Sequence, residues 1–125
     1  MDLRVLRCAI VLLVLLVSGC GDYCSQDDWP PTYIDTTVSP YHLAYRTTNT
    51  DLERVTWLNR TTSEAGDASV EGPYYELIWP LGYFWVMRVS MDIPLVAGAN
   101  DIRVMEYDRG SSCGFYDDYV ITYFP

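Results

Sequence analysis

Cysteine is the residue type in this chain that most directly promises chemistry. Cys20 and Cys24 stand four positions apart in the stretch 16-LVSGCGDYC-24. Such a pair fits a redox couple, half of a metal site, or two unrelated chemistries side by side. Cys8 and Cys113 complete the set, with a lone histidine, His42. These lack the paired spacing of a metal centre, so no metal is expected there. Glu106, Asp108, Asp117 and Asp118 are close enough in sequence to offer oxygens to calcium. No nucleophile elbow, phosphate loop or paired metal-ligand motif occurs. The sequence therefore argues against an enzyme, and no cofactor is expected.

What positions Cys20 is the segment before it. Arg4 and Arg7 precede an apolar run from Cys8 to Val17, and Ser18-Gly19 closes it. A basic start, about ten apolar residues and a small-residue exit have the anatomy of a signal peptide. The run is short of the roughly 20 residues of a transmembrane helix. Val17-Ser18-Gly19-Cys20 resembles the lipobox of bacterial lipoprotein signal peptides. That resemblance implies that residues 1–19 are removed, and Cys8 with them. Cys20 would become the first residue of the mature protein, linked to diacylglycerol through its thiol. It also implies export to the cell envelope and attachment to a membrane through the N-terminal lipid. Gly21, where an acidic residue would favour inner-membrane retention, points to the outer membrane. Cys24 and Cys113 would then lie in an oxidising compartment where a disulfide persists.

The rest of the chain must form one domain, since 125 residues leave room for no more. Its formal net charge is -9, and all eight basic residues are arginine. That balance argues against nucleic acid and against a polybasic membrane patch. Residues 20–31 read as a polar, lipidated tether ending in Pro30-Pro31. Residues 32–125 are rich in Tyr, Trp, Val, Ile and Thr, with Gly and Pro as punctuation, which is β composition. Strands are predicted over 33–39, 41–47, 53–59, 68–71, 74–79, 83–93, 101–107 and 116–124. Turns are predicted at 48–51, 63–66 and 80–82. Val55 and Trp57 share one face, as do Ile102 and Val104. In the last strand Tyr119, Ile121 and Tyr123 are the predicted inward set.

Val55-Thr56-Trp57-Leu58-Asn59, Ala65-Gly66-Asp67-Ala68 and the run from Ile93 through Gly98 and Asn100 to Val104, then Asp108 and Gly110, resemble the bacterial Ig-like modules of extracellular and envelope proteins. The likeness covers about residues 32–124. It implies an Ig-like β-sandwich of about seven to eight antiparallel strands, with the signal-peptide helix before it. In that topology the first strand starts at the same end as the loop between the last two strands. The resemblance thus implies a Cys24–Cys113 disulfide. Ig-like modules imply a non-catalytic binding or assembly role, with a protein or glycan as partner.

This chain departs from the pattern in three places. Glu106 stands where a small inward residue is usual, and is expected at an open end of the sandwich or beside an arginine. The last turn is long and carries Cys113. Residues 73–84 read as an aromatic insertion, so Tyr74, Tyr75, Trp79, Tyr83, Phe84 and Trp85 are the candidate binding residues. Of these, Trp79, Tyr83, Phe84 and Trp85 either cover the sandwich edge and the disulfide or meet lipid headgroups. A carbohydrate-binding module built on this hairpin and a calcium-stabilised adhesion module are the alternatives.

Overall fold

The computed structural model describes residues 25–26, of which only the backbone, 30–110 and 115–125. The segment read as a signal peptide and all four cysteines lie outside the described residues. The described chain is all β: β1 (Ser25–Gln26), β2 (Thr32–Thr36), β3 (Tyr41–Thr47), β4 (Leu52–Asn59), β5 (Glu64–Asp67), β6 (Ser69–Ile78), β7 (Gly82–Ile93), β8 (Gly98–Asp108) and β9 (Phe115–Tyr123). One sheet runs β9-β8-β4-β5, with β1 and β2 sharing the outer edge of β9; the other runs β3-β7-β6. β3-β7-β6 facing β9-β8-β4-β5 is the immunoglobulin-like strand order, with the first strand carried over to the edge of the last.

Alternation builds the core between the sheets. Val55 and Trp57 from β4, Ile102 and Val104 from β8 and Ile121 from β9 are buried on one side. They meet Leu43 from β3 and Met87, Val89, Met91 and Ile93 from β7. Tyr119 packs against the same cluster, so the inward face of the last strand is the expected one. Gly66 pairs with Trp57. A Cβ there would come within 2.8 Å of the indole, so the ring needs a glycine beside it.

Several boundaries differ from expectation. The pairing is not wholly antiparallel: β1 and β2 both run parallel to β9. Ser25 and Gln26, within the segment read as a tether, pair with Phe115 and Tyr116. The turn expected at 63–66 falls at 60–63, and 64–67 is an edge strand, because Asn59 caps that turn. Its side-chain oxygen accepts from the backbone N–H groups of Thr61 and Thr62. The segments 68–71 and 74–79 are one strand. A register shift between Glu71 and Tyr74 absorbs Gly72-Pro73 without ending the pairing.

Asn100 organises the end of the sandwich where β7 passes to β8. Gly98 takes a φ of 93° there, a conformation that favours glycine. The fully buried Asn100 amide donates to the carbonyls of Val96, Gly98 and Ile121, and its oxygen accepts from Val96 N–H. That oxygen also accepts from the Asn59 amide at 3.1 Å. A buried polar group this fully paired is costly to truncate, because its partners stay buried. Asn100→Ala should lower unfolding stability by roughly 2–4 kcal/mol, read as a shifted midpoint in chemical denaturation. A change below about 0.5 kcal/mol would place the corner's stability elsewhere.

Candidate functional site

The strand register makes β6 and β7 longer than the sheet that carries them. β3 ends at Thr47, paired with Met87. Beyond that point β7 pairs with β6 alone, from Tyr74↔Val86 to Ile78↔Gly82. The hairpin therefore projects past the sandwich. Leu81 N–H closes its tip on the Ile78 carbonyl at 2.7 Å, and Gly82 takes a φ of 116°.

On this projection the cross-strand pairs set one apolar face. Tyr75 lies opposite Trp85, and Leu77 opposite Tyr83. The Tyr75 ring stacks on Tyr83 with centroids 5.4 Å apart, and meets Trp85 at 5.1 Å with a 46° tilt. These rings touch one another but remain 57 to 60 % exposed, and at the tip Trp79 is 81 % and Leu81 73 % exposed. Tyr74 and Phe84 are exposed as well. Among the described residues these rings meet one another rather than a facing strand, and the cysteines of the disulfide they were expected to cover lie outside the described residues.

The hairpin's base is clamped to the sandwich through the other face. Glu76 is ion-paired with Arg88 and with Arg46, the latter at 3.2 Å. Arg46 also donates to the Leu77 carbonyl, and the Arg88 guanidinium lies 4.6 Å from the centre of the Tyr74 ring. Burial acts to raise the Glu76 pKa. The hydrogen bonds and charges of Arg88 and Arg46 outweigh it and hold the carboxyl below its ordinary value. Leu77, Leu81 and Arg46 were missed as site residues. Alternation along β6 from Tyr75 would have found Leu77, whereas Arg46 enters only through the register of β3.

The remaining carboxylate candidates are engaged structurally. The half-buried Tyr45 hydroxyl donates to Glu106 at 2.5 Å and ties the two sheets, so among the described residues a tyrosine holds the place expected for an arginine. Burial first, then the bond to Glu106, push the Tyr45 hydroxyl pKa well above its ordinary value, so it remains a donor. Burial and the nearby charges of Asp117 and Glu106 push Tyr119 up to about 12. Asp118 accepts two hydrogen bonds from Arg103, and Asp108 accepts one from Asn49. Among the described residues no group of three acidic, histidine or cysteine side chains is placed to hold a metal, so the calcium alternative has no geometry here. His42 is exposed and shares a hydrogen bond with Asp92 at 2.8 Å across β3 and β7. Cys20, Cys24 and Cys113 lie outside the described residues.

Compared with known proteins, the chain matches no family model and no curated protein.

Glu76 makes the clamp sensitive to acid. Its folded pKa is depressed, so its contribution is fully present above the ordinary carboxylate value and is lost as pH falls through the lower folded value. The melting temperature should fall along that acid limb, and Glu76→Gln should flatten the limb while lowering stability at neutral pH. An unchanged acid limb in Glu76→Gln would show that the clamp is not the group responsible.

Proposed function

We propose that this chain is a lipid-anchored cell-envelope protein of the bacterial Ig-like type, with a non-catalytic binding or assembly role. The observation that carries the reading is the parallel pairing of β1 and β2 with β9. It makes the chain enter the sandwich at the end where β8 turns to β9. A lipid on Cys20, five residues before Ser25, would hold that end near a membrane, most consistently the outer membrane. The other end, with the turns at 60–63 and 94–97, and the open edges of β5 and β6 would face outward. An open edge offers backbone groups to a partner strand, which suits assembly with another envelope protein.

The same pairing supports the Cys24–Cys113 disulfide. Ser25, next after Cys24, lies opposite Phe115, two residues past Cys113. Such a bond would close a long loop and stabilise the fold by about 4–5 kcal/mol in the chain-entropy account.

One experiment addresses both. Mass mapping of the mature protein under non-reducing conditions should give an N-terminal peptide beginning at a diacylglycerol-modified Cys20, joined through Cys24 to the peptide holding Cys113. An unmodified Cys20 would remove the anchor, and alkylatable thiols at 24 and 113 would remove the disulfide.

A further inference from the structure

The geometry points to the β6–β7 hairpin as a second membrane contact, with Trp79 and Leu81 seated in the lipid headgroup region. This deepens the anchored-protein reading and rests on it. The argument compares two lengths. Ser25 pairs with Phe115, which pairs with Glu106; Glu106 is bonded to Tyr45, which pairs with Val89. Ser25 and Val89 therefore stand at about the same level along the sandwich. From Val89 to Gly82, β7 runs toward the tip over seven residues, about 23 Å at the rise of a strand. From Ser25 back to Cys20 there are five residues, at most about 18 Å even when fully extended. The hairpin reaches at least as far as the tether allows. A bilayer holding the lipid on Cys20 meets the hairpin tip.

The chemistry of the tip suits that occupant. The protein carries a net charge of -9, but Gly72–Val86 holds a single charged side chain, Glu76, which is neutralised by Arg46 and Arg88. An acidic protein presents here a surface of low charge, which an anionic bilayer does not repel. Tryptophan and tyrosine favour the interface because each ring has an apolar body and a polar handle. The headgroup region is about 5–8 Å deep on each side of a bilayer. The tip and the first pair, Leu77 and Tyr83, span about that depth. Tyr75 and Trp85 then sit at the surface. The exposed Leu77 and Leu81 beside the rings add aliphatic surface that lipid accommodates; a glycan on the same rings is a contrary outcome of the test.

The test uses the lipidated full chain with Trp29→Phe, reconstituted in phosphatidylethanolamine–phosphatidylglycerol vesicles containing lipid brominated high on the acyl chain. Bromolipid should quench the emission, and Trp79→Phe should abolish most of that quenching, more than Trp85→Phe does. Both rings are exposed, so neither substitution should move the melting temperature. Iodide in the water should reach Trp79 in detergent-free soluble protein lacking Cys20 and lose that access on vesicles carrying the lipidated protein. The inference is overturned if vesicle-bound, lipidated protein shows no bromolipid quenching, if Trp85 is quenched more strongly than Trp79, or if iodide access falls only when an envelope glycan or protein is added. If Cys20 carries no lipid, the anchored reading fails on its own, and mass mapping separates that outcome from these.

Discussion

The pairing of β2 with β9 sets the orientation of everything else in this protein. Five consecutive pairs, from Thr32↔Tyr119 to Thr36↔Tyr123, fix the first strand in parallel register with the last. A parallel partner shares its neighbour's direction, so the chain enters the sandwich at the end where β9 begins. β3 then returns to that end, and β7 overshoots it as half of a long hairpin. An antiparallel first strand in the same sheet position would send the N-terminus out at the opposite end. The hairpin and the proposed anchor at Cys20 would then face away from each other.

Two kinds of polar bonding hold this arrangement, at opposite ends. Where β7 meets β8, Asn59 and Asn100 bond to each other and to backbone that would otherwise be buried unpaired. Toward the other end, Tyr45 and Glu106 join the sheets, and Arg46 and Arg88 hold Glu76 at the root of the hairpin. The buried cluster between them is aliphatic, methionine and indole, with Tyr41, Tyr45 and Tyr119 packed against it. The hairpin is the exception: among the described residues its stacked rings meet one another, Tyr75 with Tyr83 and Trp85, and stay largely exposed. Exposed apolar clusters are a common form of interaction surface, which is why the proposed contact is placed here.

Much of the fold is legible in the sequence, because the strands alternate cleanly. Val55 with Trp57 and Ile102 with Val104 declare their faces, and the Gly98–Asn100 corner carries its own hydrogen-bonding logic. The misplacements have local causes. The turn after β4 comes early because Asn59 caps it, which a reading centred on Gly66 does not see. Gly72-Pro73 looks like a break, but a bulge carries the strand through it. Glu106 looks in need of an arginine because its true partner, Tyr45, lies 61 residues away on the other sheet. The aromatic residues of the hairpin were visible by type. Their exposure was not, since it depends on where β3 and the facing sheet end. Arg46 belonged to no local pattern at all.

The central claim is that the end of the sandwich where the chain enters, and where we propose the anchor, also carries the aromatic hairpin. Hydrogen exchange of the lipidated protein on vesicles, compared with the same protein in detergent, tests it most directly. The account predicts added protection of the amides at 78–83 on vesicles, with the turns at 60–63 and 94–97 exchanging unchanged. Added protection at 60–63 or 94–97, with 78–83 exchanging as in detergent, would contradict it.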